Sequence, residues 1–299
     1  MKALRLTVIF VLFLLAGCGT AAQPPIGSAE NPIKMGIVPF IETQQMVTNM
    51  QPFLALLEKE TGYKYTFDAP TSYAVLIESM GAGRVDVGWF GPLAYVLANQ
   101  KYGAQVIAVS VNSQNATSYR SEILVRADSP IKTIADLKGK KFAWVDPASA
   151  SGYLYPRALI ASAGYDPETF FSQQIFAGGH DKAVIALYNG QVDAAATYEG
   201  ARQTVEKTLP DVMQKTRVIA TSVNIPNDNV AVRKDLPPEV VQRLRDGLLK
   251  VTSTEEGKIA LNKAIGTSGL APAKDSDYDP VRQAAKVLKL DLEEQVKGK

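Results

Sequence analysis

Cysteine and histidine are almost absent: each occurs once in 299 residues, as Cys18 and His180. No disulfide framework or Cys/His metal cluster can be assembled from them, so neither a metal nor a cofactor is expected. The usual catalytic words are missing too. There is no Gly-x-Ser-x-Gly elbow, His-Glu-x-x-His helix or Walker loop. Gly81-Ala82-Gly83 precedes a strand, the wrong order for a dinucleotide fingerprint, and reads as a helix stop. A Ser151–His180–Asp181 triad can be drawn, but Asp181 adjoins its histidine in sequence and is poorly placed to orient it. A hydrolase is therefore disfavoured, and the chain is expected not to be an enzyme. Excess charge is lacking as well: setting aside Lys2 and Arg5 leaves 30 basic residues against 30 acidic ones. That balance argues against nucleic acid as a partner. The apolar run from Leu6 to Leu15 is about ten residues, well short of the ~20 that a membrane-spanning helix needs.

What is present begins at the N-terminus. Met1-Lys2-Ala3-Leu4-Arg5, the short apolar run and Ala16-Gly17-Cys18 have the layout of a secretory signal. Leu15-Ala16-Gly17-Cys18 resembles a bacterial lipobox, which implies that Cys18 becomes the lipidated first residue of the mature chain. Residues 1–17 then form the signal peptide. Positions 18–31, with Gly, Ser, Ala, Gln and Pro24-Pro25, have the composition of a flexible tether. The body is expected to be extracytoplasmic, monomeric and held to the membrane through the lipid anchor only.

Beyond residue 31, strand-like and helix-like patterns alternate. Strands are predicted at Ile33–Val38, Tyr63–Phe67, Val85–Phe90, Gln105–Val109, Glu122–Val125, Lys141–Val145, Gln174–Phe176 and Val192–Thr197. A helical stripe of Met46, Met50, Phe53, Leu54 and Leu57 stops at Gly62, and another helix runs from Tyr73 to Met80. The rhythm predicts an α/β fold with a largely parallel sheet. One stretch repeats: Tyr73-Ala74-Val75…Gly83-Arg84-Val85-Asp86 aligns with His180-Asp181-Lys182…Gly190-Gln191-Val192-Asp193 at a constant offset of 107 positions. Two lobes on one plan would set Tyr73 and His180 at equivalent helix starts. Ligands bind in α/β proteins beyond strand C-termini, where such helices begin.

Asp146-Pro147-Ala148-Ser149-Ala150-Ser151-Gly152 joins a predicted strand to a helix, and small hydroxylated residues there leave amides free for an anion. His180 follows Gly178-Gly179 at another helix start and can donate to an oxyanion in either charge state. Glu199 and Asp228 fall just past strand or loop ends.

Seven segments carry a resemblance. Ser72-Tyr73-Ala74, Gly83-x-Val85-Asp86-x-x-Trp89-Phe90-Gly91-Pro92, Ser118-Tyr119-Arg120-Ser121, Asp128-Ser129-x-Ile131…Asp136-Leu137-Lys138-Gly139-Lys140, Asp146-Pro147-x-Ser149-x-Ser151-Gly152-Tyr153, Gly179-His180-Asp181 and Ile225-Pro226-x-Asp228 stand in order between about Ile33 and Asp235. Together they resemble the phosphonate, phosphite and phosphate-ester substrate-binding proteins of bacterial ABC importers. The resemblance implies a two-lobed type II periplasmic-binding-protein fold, two mixed sheets with flanking helices joined by a two-strand hinge. It implies one lobe from 32–120 with 229–299, a second from 121–228, and hinge strands near Ser121–Val125 and Asn229–Val232. Tyr73, Ser149, Ala150, Ser151 and His180 are then expected to hold the oxyanion. Tyr119, Glu199 and Asp228 are expected to face an amino end, as in members that take 2-aminoethylphosphonate. Ala150 departs from the family's Ser-Thr-Ser turn by dropping a hydroxyl, which predicts altered preference more than lost binding. The expected partners are a phosphonate- or phosphite-class small anion and an ABC transporter permease. A sensor lipoprotein serving a signalling receptor would share this fold and site.

Overall fold

The computed structural model describes residues 23–290. The chain starts with β1 (Ile33–Ile37), α1 (Thr43–Thr61), β2 (Tyr65–Asp68), α2 (Tyr73–Gly81), β3 (Val87–Phe90), α3 (Pro92–Tyr102) and β4 (Gln105–Val111). After β5 (Ser118–Tyr119) it builds β6 (Ser121–Arg126), β7 (Lys141–Trp144), α4 (Tyr155–Ser162), β8 (Gln173–Phe176), α5 (His180–Tyr188), β9 (Ala194–Tyr198), α6 (Val212–Lys215) and β10 (Thr216–Thr221). It returns through β11 (Ile225–Pro226) to β12 (Asn229–Val232), α7 (Pro238–Ser253), α8 (Glu255–Ile265), β13 (Gly269–Ala271) and α9 (Asp279–Val287).

Hydrophobic spacing explains the principal elements. In α1, Met46, Met50, Phe53, Leu54 and Leu57 are buried on one stripe, Glu42 caps the start, and Gly62 closes the helix at φ 73°. Two sheets result, ordered β13-β4-β12-β3-β1-β2 and β10-β6-β9-β7-β8. The expectation of a largely parallel sheet needs correction. Strands β1, β2 and β3 pair in parallel, as do β7, β8 and β9, but β12 and β6 enter their sheets antiparallel. Both follow the crossings between lobes, and such returns need no helix to reverse direction.

The internal repeat is carried into backbone register. Lys34 pairs with Thr66 and Met35 with Val87, while Lys141 pairs with Gln173 and Phe142 with Ala194, each set displaced by 107 positions. Asp86 Oδ2 accepts the Lys34 N–H at 2.8 Å, and Asp193 Oδ2 accepts the Lys141 N–H at 2.8 Å. The Val-Asp pair thus pins the start of its neighbouring strand in both lobes.

The crossing ribbon lies elsewhere than expected. It is β5 against β11, with Tyr119 opposite Ile225 and Ser118 opposite Pro226. The strands proposed for it, Ser121–Val125 and Asn229–Val232, belong to the two sheets on either side. Two-residue strands are too short to show a hydrophobic period. Helix α9 packs on α3, on β11 and on the helical turn Ala150–Leu154, so the C-terminal segment touches both lobes and the ribbon.

The described part of the expected tether is folded. Gly27 N–H donates to Asn31 O at 2.7 Å, Ser28 N–H to Pro25 O at 3.0 Å, and Lys64 N–H to Gly27 O at 2.8 Å. Gly27 sits at φ 84° against the Tyr63 ring, where any Cβ would collide. Pro25–Asn31 is therefore a turn packed on the first lobe. The signal over 1–17 and the lipidation site Cys18 lie outside the described residues. Among the described residues no helix is long and apolar enough to cross a membrane.

Candidate functional site

A cavity of about 710 Å³ opens between the lobes, lined by Tyr73, Tyr119, Ser149, Ala150, His180, Glu199 and Asp228 together with Trp89, Ser110, Arg120 and Tyr198. Seven of the eight expected ligand residues meet there. The eighth, Ser151, stands directly behind, its Oγ receiving the Tyr119 hydroxyl at 3.4 Å.

On the second lobe, the turn after β7 is built by its own polar side chains. Asp146 Oδ1 accepts the Ala148 N–H at 2.8 Å, and Ser149 Oγ accepts the Gly152 N–H at 3.0 Å. The helix begins with a π-turn, Ala150–Leu154, before continuing as α4. Such widened turns recur at functional sites, and the first amides of a helix have no internal partner. Pro156 has no N–H, so the Ser151 carbonyl lacks the partner a further π bond would supply. The Ser121 hydroxyl takes its place at 2.6 Å, tying the turn to the first residue of β6. Gly152 is obligatory because a Cβ there would lie 2.4 Å from the Val145 side chain.

His180 opens α5 and is 4% exposed. Burial lowers its pKa to about 3, so the ring is neutral. Its Nδ1 lies 2.8 Å from Thr197 Oγ1, and the ring meets Tyr198 edge-on at 4.8 Å. The tautomer in which Thr197 donates to Nδ1 carries its proton on Nε2. The backbone N–H of His180 donates to Phe40 O at 2.9 Å across the cleft. No triad forms, since Thr197 rather than Asp181 holds the ring and Asp181 Oδ1 accepts the Lys182 N–H at 2.8 Å.

On the first lobe, Ser72 caps α2 and Tyr73 is its first residue. The Tyr73 phenol lies against the Ser149 hydroxyl, and burial holds its pKa well above the usual value, so it remains a neutral donor. Tyr119 is raised for the same reason. Across the cleft, the Asp146 carboxyl faces the Tyr73 backbone N–H, with burial raising its pKa.

The two acids differ. Glu199 is not a buried carboxylate awaiting a cation: Arg120 Nε and Nη2 donate to its two oxygens at 3.0 and 2.7 Å, near the solvent. Its pKa is lowered by that Arg120 hydrogen bond. Among the described residues Asp228 has no such partner, and burial pushes its pKa up to about 7. Sequence reasoning named neither Arg120 as the partner of Glu199 nor Tyr198 and Ser110 as wall residues. Arg120 and Glu199 are 79 positions apart, so no local spacing joins them. Tyr198 ends β9, and the strand-terminus rule that flagged Glu199 applies to it equally.

A cleft between two βα lobes joined by a short ribbon, and walled by opposing helix starts, defines the type II periplasmic-binding-protein class. The family profile for ABC transporter, phosphonate, periplasmic substrate-binding proteins matches residues 35–278. The chain belongs to that family, whose members are transport binding proteins and not enzymes. It is 32% identical to the phosphate-import protein PhnD of Mycolicibacterium smegmatis, covering 93% of both chains. It is 28% identical to the phosphonates-binding periplasmic protein of Escherichia coli, covering 86% of this chain and 76% of that one. The crystal structure of the binding component of a Pseudomonas aeruginosa ABC phosphonate transporter superposes with a TM-score of 0.80 at 28% identity, covering 89% and 87% of the two chains. PhnD1 of Prochlorococcus marinus in complex with methylphosphonate shares the fold, with a TM-score of 0.77 at 17% identity over 86% and 98%.

Proposed function

We propose that this protein captures a phosphonate-type oxyanion, such as a phosphonate or phosphite, between its lobes and delivers it to an ABC transporter permease. One observation carries the reading. Neutral donors from both lobes converge on one cavity: Tyr73 from the first, and Ser149, the Ala150 turn and His180 from the second.

A phosphonate offers three strong acceptor oxygens and, by analogy with phosphoserine, about −1.5 to −2 charges near neutral pH. Hydroxyls, a neutral imidazole and helix-start amides can surround those oxygens without committing an arginine, which suits a carrier that must release its cargo. Contacts made from both lobes at once favour the closed state, and that differential is what drives closure. In the cell the body is held outside the cytoplasm by lipid on Cys18 and works as a monomer.

Calorimetry with phosphite, methylphosphonate, 2-aminoethylphosphonate and phosphate tests the reading. A true ligand at a hundred times its Kd adds about 2.7 kcal/mol to stability. Heat and thermal shift from none of these compounds, with the protein folded, would refute it.

A further inference from the structure

Resting on the oxyanion reading above, we infer that the cleft takes its ligand with one acidic hydrogen still attached, held between a ligand oxygen and the Asp228 carboxylate. By this means Asp228 rejects tetrahedral anions that carry no proton. No bond is broken, since the hydrogen already on the ligand is shared with a carboxylate oxygen.

Asp228 is fixed where the ribbon meets β12. Its carbonyl accepts the Ser110 N–H at 2.8 Å, its N–H donates to Asn227 Oδ1 at 2.9 Å, and the Tyr278 hydroxyl holds Asn227 O at 3.1 Å. The side chain lines the cavity, yet among the described residues nothing donates to its carboxyl and no lysine or arginine nitrogen lies within 4.0 Å. The titratable groups facing it are four phenols: Tyr73 from α2, Tyr119 from β5, Tyr198 from β9 and Tyr278 from the turn before α9. Burial raises all four, so they stay protonated and contribute no charge.

Positive charge is not available from elsewhere in the wall. Among the described residues that line the cavity, the charged side chains are Arg120, Glu199 and Asp228, and Arg120 is engaged by both oxygens of Glu199. His180 is neutral. Above about pH 7, where Asp228 is ionised, a fully ionised ligand would therefore meet a carboxylate with no cation between them, and unpaired like charges in a dry site repel strongly.

Position decides between an oxyanion hydrogen and a ligand ammonium. Tyr73 faces both the Ser149 hydroxyl and Asp228. A Cβ on Gly91 would lie 3.8 Å from both Asp228 Oδ1 and the Tyr73 ring. Asp228 thus belongs to the shell that holds the oxyanion, not to a remote subsite for a substituent. The buried Ser110 Oγ, unpartnered among the described residues and in the cavity wall, is a further contact for that shell.

The test is calorimetry from pH 6 to 9 in buffers of different ionisation enthalpy. The probes are methylphosphonate, phosphate, 2-aminoethylphosphonate, sulfate and methanesulfonate, on the full chain and on D228N. One hydrogen must be retained in the complex, so wild-type affinity should fall toward ~tenfold per unit above about pH 8, with proton uptake. At pH 8, where Asp228 is mostly ionised, sulfate and methanesulfonate should bind at least ~tenfold more weakly than methylphosphonate, the gap narrowing toward pH 6. In D228N the pH slope should flatten and the sulfate gap at pH 8 close to within ~threefold. Wild-type affinity that ignores pH overturns the inference without any variant, as does a sulfate gap that D228N leaves intact. An amine-bearing phosphonate that gains more than ~tenfold through Asp228 would overturn it in favour of an ammonium. Silence from every phosphorus compound would refute the oxyanion reading itself.

Discussion

The two lobes repeat one backbone plan and differ in what they place at the turn after its first strand. In the first lobe that turn ends at Glu42, whose carboxylate accepts the Gln44 and Gln45 N–H groups at 3.1 and 2.8 Å. At the equivalent place in the second lobe, 107 positions on, stands Ser149, a neutral hydroxyl that satisfies only Gly152 N–H. The first lobe supplies an anion to its own helix start. The second leaves its helix start to an outside anion, so the fold sets where a site can be and one side chain sets whether it is open. The lobes also exchange contacts: Phe40 O receives His180 N–H, while the Asp146 carboxyl faces Tyr73 N–H.

The sharpest break between the lobes should come from their matched aspartates. Asp86 is buried and bonded to Arg233 at 2.8 Å as well as to Lys34, whereas Asp193 is half-buried and holds Lys141 alone. D86A should cost about 1.5–3 kcal/mol, because it unpairs the Lys34 N–H and removes one of two carboxylates from a largely enclosed guanidinium, Asp235 keeping its contact at 2.7 Å. D193A should cost about 1 kcal/mol, and equal losses in urea melts would show the clamps to be equivalent. At the site, H180A should weaken oxyanion binding about 30- to 100-fold and Tyr73→Phe about tenfold, both read by calorimetry. A150T returns a hydroxyl to the second-lobe turn and should change affinity at most ~tenfold, with the sign differing among ligands.

Acid stability separates the walls in another way. His180 has a folded pKa near 3 against an ordinary 6.5, so its contribution is present above 6.5 and is lost as pH falls toward 3. Asp228, raised to about 7 from 3.8, does the opposite: its contribution is full below 3.8 and is lost as pH rises through 7. Between about pH 4 and 6.5 the two slopes oppose one another. Thermal melts of D228N over that range should therefore decline more steeply with acid than those of the wild type.

Much of the scaffold was legible because it repeats hydrophobic spacing: the α1 stripe with its Gly62 stop, and the helix–glycine–Val-Asp unit present twice. His180 and Ser149–Ala150 were legible as helix starts after strands. Three things were hidden. The β5–β11 ribbon has two residues per strand, too few for a period. The antiparallel entry of β6 and β12 depends on where the chain crosses, which local pattern does not record. The Arg120–Glu199 pair is formed by tertiary structure alone, and it gives Glu199 a cationic partner within the protein.

Pro226 stands in one of the two paired positions of the ribbon and has no N–H to give. The ribbon is therefore laced by few amide bonds. Under the proposed capture reading, so sparse a lacing leaves the contacts made to the ion, more than the pivot, to decide how long the jaws stay shut.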